Sequence, residues 1–310
     1  MDSLFINLLK TARPRQWLKN FILYVPLVFS GRLFEANDFI FVSLAVIIFS
    51  GIASSIYFLN DILDISSDRI HPFKKLRPIA SGKLPIPVAF FFAFLGTIVC
   101  FFLASSLSFF FFVICFSYFI LQILYSLFFK NIVILDVIAI AAGFILRIYA
   151  GAIILNYHVS SWFLLCVVSL SLFLAVGKRR GELAILSSQK APSYRKTLTH
   201  YSENLLDGYL AIFGASAWLS WALFTFFESP PIVLHPTIVY SFLPLTISGS
   251  SKFLMLTIPL VIYGIMRYLR IIYEGSRAEA PERVLLSDKP LLGTVILWGI
   301  MIVLIIYGAS

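Results

Sequence analysis

Apolar stretches of about 20 residues, parted by short charged loops, recur along the whole of this chain, and no other feature limits its fold as strongly. Each is long enough to cross the hydrocarbon of a bilayer as a helix. We place them near 18–34, 38–62, 86–104, 108–129, 132–155, 159–180, 205–228, 252–273 and 290–308. The expected architecture is therefore all-α and polytopic, with nine transmembrane helices. With 60% of its 310 residues hydrophobic and 13% charged, the chain holds more apolar surface than a soluble core of its size can use.

A formal net charge of +9 would suit a nucleic-acid ligand, but its placement assigns it elsewhere. When the loops are taken alternately, one side of the membrane holds every Lys and Arg except Arg32, Lys252 and the intramembrane Arg147. By the positive-inside rule that side is cytoplasmic, which puts the N-terminus in, the C-terminus out, and requires an odd number of spans. The expected partner is the bilayer, with no nucleic acid. Cys100, Cys115 and Cys166 all lie in apolar spans without paired spacing and read as small hydrophobes. The run from Leu4 to Leu9 is too short for a signal peptide; Leu4, Phe5, Leu8 and Leu9 fit the apolar face of an interfacial helix.

Charge arrives abruptly where the second span ends, in the stretch from Asn60 to Gly82, NDILDISSDRIHPFKKLRPIASG. Asn60, Asp64 and Asp68 recur every fourth residue and so share a helical face at about 6 Å intervals, with Asp61 beside them. Such a face repels itself unless a cation sits on it. Mg²⁺ prefers oxygen ligands of this kind and is commonly held by one or two carboxylates plus substrate phosphates. Arg69, Lys74, Lys75, Arg77 and Lys83 follow, as donors that pair with oxyanions. The run reads as a metal site with a phosphate site behind it, looking into the cytoplasm. His71, beside Pro72, reads as a phosphate or structural hydrogen-bond partner more than as a metal ligand.

Four further places carry polar chemistry. Ahead of the first span, RPRQWLKN offers Arg13, Arg15 and Lys19 for topology or lipid phosphate, and Trp17 as an interfacial anchor. The turn after the fourth span places Tyr125, Ser126 and Lys130 at the same membrane face as the Asp-rich helix. Within the fifth span, Asp136 and Arg147 each cost roughly 2.5–3.5 kcal/mol at a helix centre and need a polar cavity or a partner. Some 16 Å apart along one helix, they are not expected to pair with each other; Arg147 reads either as lining a substrate cavity or as a bridge to another helix. After the sixth span, Lys178, Arg179 and Arg180 precede Glu182, and the loop runs on through Tyr201 to Glu203 and Asp207. Lys178 with Glu182 is an (i, i+4) pair of the surface kind, whereas Glu203 with Asp207 is like-charged and calls for a nearby cation. A transporter would carry polar residues along several spans from side to side; here nearly all of them gather at one face.

With these residues in view, the chain resembles the membrane-embedded prenyltransferase superfamily named after 4-hydroxybenzoate polyprenyltransferase. NDILDISSD matches its first Asp-rich motif and RPIASG the segment after it. Within the superfamily it is most similar to the decaprenyl-phosphate phosphoribosyltransferases, through RPRQWLKN, DRIHPFKKLRPIASG, ILDVIAIAAGFILRIYAGA, GKRRGEL and APERVLLSDKPL, in that order along nearly the whole chain. The aromatic prenyltransferases carry a second Asp-rich motif after span six. Here KRRGEL and the weaker Glu203 and Asp207 stand instead, which argues for one acidic face and more cations.

The resemblance implies a single domain, 1–310, with its helices around a central cavity capped by cytoplasmic helix-loop elements near 60–85 and 177–204. It implies an enzyme of the bacterial inner membrane, with its site facing the cytoplasm and a homo-oligomer left open. The reaction implied is Mg²⁺-dependent transfer of a 5-phosphoribosyl group from phosphoribosyl pyrophosphate to a polyprenyl phosphate. The alternative is polyprenyl transfer from a prenyl diphosphate to an aromatic acceptor. Asn60, Asp61, Asp64 and Asp68 are then the metal and pyrophosphate ligands, with Asp64 and Asp68 catalytic. Lys74, Arg77, Lys178, Arg179 and Glu182 are expected to hold the donor's phosphates and ribose hydroxyls, Lys19, Lys130 and Arg147 the lipid phosphate, with Tyr125 and Tyr201 beside them.

Overall fold

The computed structural model describes residues 4–70, 74–189, 200–228, 250–274 and 281–308, and among these there is no β-strand. The helices are α1 (Leu4–Ala12), α2 (Val25–Phe29), α3 (Ala36–Leu63), α4 (Ile65–Ile70), α5 (Ile86–Leu107) and α6 (Phe109–Leu127). After them come α7 (Leu135–Ile154), α8 (Ser161–Gln189), α9 (Glu203–Phe227), α10 (Ile258–Tyr273), α11 (Pro281–Ser287) and α12 (Lys289–Tyr307). Eight segments among the described residues are long and apolar enough to cross a membrane: α3, α5, α6, α7, α8, α9, α10 with the turn before it, and α12. The protein is an integral membrane protein.

The expected ninth helix, at 18–34, is not one helix. Arg13 takes a left-handed backbone (φ 53°, ψ 61°), a 3₁₀ segment follows from Pro14 to Tyr24, and α2 adds only five residues before the turn at Gly31. Side-chain bonds hold this shape. Asn20 is buried and donates from Nδ2 to Ser50 Oγ at 2.9 Å, and Trp17 Nε1 donates to Ser54 Oγ at 2.9 Å. Trp17 is thus tied to the bundle rather than only anchored at an interface. Hydropathy alone sees apolar content and cannot see that polar side chains turn the backbone inward.

The chain forms two compact units. One comprises the residues up to Val25, Ala36–Lys130 and Leu146–Tyr157. Its axis is α3, whose buried residues Val42, Ala45, Phe49, Ile52 and Ile56 recur every three or four positions. Against it lies α5, which buries Ala89, Ala93 and Ala104 and turns Phe90, Phe91, Phe94 and Phe102 outward. Small residues set that distance: a Cβ on Gly51 would meet Cys100 Sγ at 2.4 Å, and one on Gly96 would meet Ser55 Oγ at 2.7 Å. On α1, Asn7 and Thr11 are covered while Leu4, Phe5 and Leu9 stay exposed, as an interfacial helix requires.

The other unit comprises Pro26–Glu35, Asn131–Ile145 and the residues from His158 on. Here α8 packs along α9 with Phe173, Val176, Leu206, Leu210, Tyr268 and Ile272 in the core. Gly177 lets Tyr268 and Ile272 of α10 close on α8, each within 2.9 Å of where a side chain would begin. Asp288 caps α12, accepting from Leu291 N at 2.8 Å while Arg267 Nη2 donates to it at 2.8 Å.

In the first unit the Leu23 carbonyl oxygen lies 2.1 Å from where a Cβ on Gly151 would sit, so backbone has to move for any side chain there. Gly151→Ala is expected to cost about 1–3 kcal/mol as overpacking, read as a lower unfolding temperature in detergent. Gly264→Ala, with nothing within 4 Å, is the control and should show no loss.

Candidate active site

The Asp-rich run lies where α3 gives way to α4. Backbone bonds carry the helical path across the break, from Asp64 N to Asn60 O at 2.9 Å and from Asp68 N to Asp64 O at 2.8 Å. The side chains divide into two rows. Asn60 Oδ1 accepts from Ser126 Oγ at 2.5 Å, and Asp64 Oδ1 accepts from Lys130 Nζ at 2.9 Å, so this row faces the end of α6. Asp61 and Asp68 form the other: Arg77 Nη1 donates to Asp61 Oδ1 at 3.1 Å and to Asp68 Oδ2 at 2.6 Å, and Arg13 Nη2 also donates to Asp61 Oδ1. The expected triad Asn60, Asp64 and Asp68 therefore splits. Eight residues leave Asp68 about 80° round the helix from Asn60, whereas seven bring it back to within about 20° of Asp61.

Burial separates the rows further. Asp61 and Asp68 are 2% and 3% exposed, while the Asp64 side chain is 36% exposed. The sequence offers Arg13 for topology or lipid phosphate; in the structure it stands at the N-terminal end of the 3₁₀ segment, stacks over the Tyr57 ring and bonds Asp61. Its left-handed backbone beside Pro14 is the local feature that aims it, and nothing in the spacing of basic residues announces that.

Of the other residues expected in this unit, Lys74 opens a 3₁₀ turn whose carbonyl accepts from Arg77 N at 2.9 Å. Tyr125 precedes Ser126 in α6, and Lys19 lies half-buried beside Asn20. Arg147 is a bridge between helices: 5% exposed, it donates to Asn20 Oδ1 at 2.9 Å and Tyr118 OH at 2.8 Å, with its guanidinium over the Phe49 and Tyr118 rings. His71 lies outside the described residues.

The second unit holds a polar cluster of its own. Arg179 is fully buried and donates from Nε to Asp136 Oδ2 at 2.5 Å and from Nη1 to Glu182 Oε2 at 2.7 Å. Tyr201 OH donates to Asp136 Oδ1 at 2.8 Å and accepts from Ile134 N at 2.8 Å, which pins Ile134 in a left-handed backbone (φ 71°) that a β-branched residue rarely adopts. Burial raises the Tyr201 hydroxyl above its ordinary pKa and keeps it a donor. Glu182 thus pairs with Arg179 and not with the expected Lys178; Lys178, half-buried, makes no ion pair among the described residues. Arg180 donates to Asp207 at 2.8 Å and to Glu203 at 3.0 Å, supplying the cation that this like-charged pair requires.

The donors themselves decide which kind of metal suits the first unit. Among the described residues no three His, Cys, Asp or Glu side chains converge on a metal position. Asp61 and Asp68 are buried and committed to arginines, which leaves Asp64 and Asn60 as oxygens on the accessible side. One or two carboxylates fit a hard cation that arrives with phosphates, as Mg²⁺ usually does, and do not make an all-protein cage.

These polar clusters lie at the ends of membrane-spanning helices, and the chain belongs to the UbiA prenyltransferase family, whose profile matches residues 22–287, which makes it a membrane-embedded transferase. Among similar relatives, the decaprenyl-phosphate phosphoribosyltransferase of Corynebacterium glutamicum is 31% identical over 310 residues, covering 97% of this chain and 87% of that one. The decaprenyl-phosphate phosphoribosyltransferase of Mycolicibacterium smegmatis is 31% identical over 300 residues, covering 96% and 91%. A UbiA homolog from Archaeoglobus fulgidus, solved bound to GPP and Mg²⁺, superposes with a TM-score of 0.64 at 18% identity, covering 97% of this chain and 96% of that one. That likeness shows a shared fold.

Removing one member of a buried ion pair costs about 3–5 kcal/mol, because the other charge is left uncompensated. Asp136→Asn should therefore lower the unfolding temperature in detergent sharply. Asp207→Asn, at a partly exposed carboxylate, should change it little.

Proposed function

We propose that the protein transfers a 5-phosphoribosyl group from phosphoribosyl pyrophosphate to a polyprenyl phosphate at the cytoplasmic face of the bacterial inner membrane, the whole chain acting as one Mg²⁺-dependent domain. One observation carries the choice of donor. Arg180 occupies Glu203 and Asp207, the position where a second metal-binding acidic motif would stand, and leaves a single acidic run with cations around it. That pattern suits a donor with one diphosphate and a further phosphate, and the names of the relatives point the same way.

Asp64 and Asn60 are assigned to the metal and the pyrophosphate, while Asp68, expected beside them as a ligand, is taken up with Asp61 in holding Arg77 in place, Asp61 holding Arg13 as well. Arg77, Lys74 and Lys130 are assigned to the pyrophosphate oxygens. Lys178 and Glu182 keep the phosphate and ribose roles that the family resemblance implies, and within the second unit Arg179, Asp136 and Tyr201 position Glu182. Lys19 is the candidate for the lipid phosphate, and Arg147 acts through Asn20. A lipid-phosphate oxygen bonds to the anomeric carbon as the bond from that carbon to pyrophosphate breaks, and the bonding pair leaves with pyrophosphate. The nucleophile is already anionic at neutral pH, so no general base is required. Mg²⁺ supplies neutralisation of the leaving diphosphate. The chain's own donors, fixed before reaction, do the rest. In-line attack inverts the anomeric centre.

Asp64→Asn is expected to lower turnover about 100-fold or more, on the scale of losing one fixed electrostatic group, with the unfolding temperature unchanged because Asp64 is partly exposed. The direct test is mass spectrometry of lipid extracts after incubation with polyprenyl phosphate, phosphoribosyl pyrophosphate and Mg²⁺, which should reveal a phosphoribosyl lipid. Label passing from a prenyl diphosphate to an aromatic acid, with none passing from the ribosyl donor to lipid, would overturn the assignment.

A further inference from the structure

We propose that Lys130 is an exchangeable counter-ion that keeps Asp64 closed to free divalent metal until a diphosphate draws it away, so that metal and diphosphate enter this site only together. The inference rests on the reading above for the identity of the diphosphate donor, and on the first unit's geometry for everything else.

Each carboxylate of the run is already engaged by a cation, but the engagements differ in kind. Arg77 bridges Asp61 and Asp68, both nearly inaccessible, and releasing it would strand the buried charge of Asp68 and leave Asp61 to Arg13 alone. Lys130 and Asp64 meet at 2.9 Å with side chains 25% and 36% exposed. This pair borders solvent and is joined by a flexible stem carrying a compact, strongly hydrated ammonium that changes partners at small cost. The neighbouring Asn60 is tied to the same end of α6 through Ser126, four residues before Lys130. The accessible donors of the run are therefore both held by one helix end.

A free dication approaching Asp64 meets an ammonium already bonded to Oδ1, and the like charge repels it. A diphosphate brings several anionic oxygens for Lys130 to accept in exchange, and the freed carboxylate then faces the metal that travels with it. By linkage, each ligand must strengthen the binding of the other by the same factor. Lys130 is in this sense a gate on metal entry as well as a phosphate contact.

The test is equilibrium dialysis of the purified full-length protein with Mn²⁺ and radiolabelled inorganic pyrophosphate, separately and together. For the wild type, each should raise retention of the other about tenfold or more, within the usual range of coupling between two ligands. Lys130→Met should bind Mn²⁺ alone about tenfold more tightly than the wild type and lose most of the coupling. Lys130→Arg, which keeps the charge, should keep free Mn²⁺ out and confirm that the site is intact. The proposal falls if the wild type retains Mn²⁺ as well without pyrophosphate as with it, or if Lys130→Met leaves free Mn²⁺ binding unchanged at an unchanged unfolding temperature. Pyrophosphate is common to ribosyl and prenyl donors, so coupled retention without a phosphoribosyl lipid would sink the assigned reaction and leave the gate standing. A phosphoribosyl lipid without coupling would do the reverse.

Discussion

A charge carried below a membrane surface has to be cancelled where it lies, because neither bulk water nor salt reaches it. Both units of this protein are built around that constraint. In one, Asp61 and Asp68 are covered and share the guanidinium of Arg77. In the other, Asp136 and Arg179 are buried completely and complete each other with Tyr201 and Glu182. Asp64, which is not fully covered, is paired with a Lys130 that is itself partly exposed. The proposed site lies where the cancellation is incomplete, framed by the deeply buried pairs.

The apolar packing serves the same end. Lipid tails are as apolar as leucine, so helices gain little by merely hiding side chains, and close approach has to come from small residues. Gly51, Ser55, Ala89, Ala93 and Gly96 bring α3 and α5 together along their length, while the Phe-rich face of α5 is left outward. A closely held α3 delivers the Asp-rich run to a defined height at its end. Gly177 plays the corresponding part in α8, where the basic residues Lys178, Arg179 and Arg180 follow directly.

Much of this was legible in the residues. The Asp-rich run announces itself by the sudden arrival of charge after an apolar span, and the like-charged Glu203 and Asp207 do require a cation, which is Arg180. The rest was hidden for physical reasons. A four-residue recurrence suggested one face, but the seven-residue return that joins Asp61 to Asp68 is closer to a whole number of turns. Arg179 looks like a phosphate donor because a basic run at a helix end usually meets water; only the fold shows that it is covered and paired. Arg13 is one of several cations ahead of a span, and its role depends on a backbone conformation that side-chain identity does not encode. The segment at 18–34 has the apolar content of a span without its regular helix, since hydropathy counts composition and not hydrogen-bond register.

The hydroxyl of Tyr307 donates to the carbonyl of Val28 at 2.7 Å and accepts from Leu33 N at 3.1 Å, joining points 279 and 274 residues apart within the second unit. The order of synthesis gives that closure a meaning. The first unit has all its pieces once Tyr157 has been translated, whereas Pro26–Glu35 gains these bonds only after Tyr307 has been made. A ribosome stalled between α8 and Tyr307 would thus leave a chain whose first unit has all its pieces and whose second unit lacks its fastening, the kind of incomplete intermediate that exposes apolar surface.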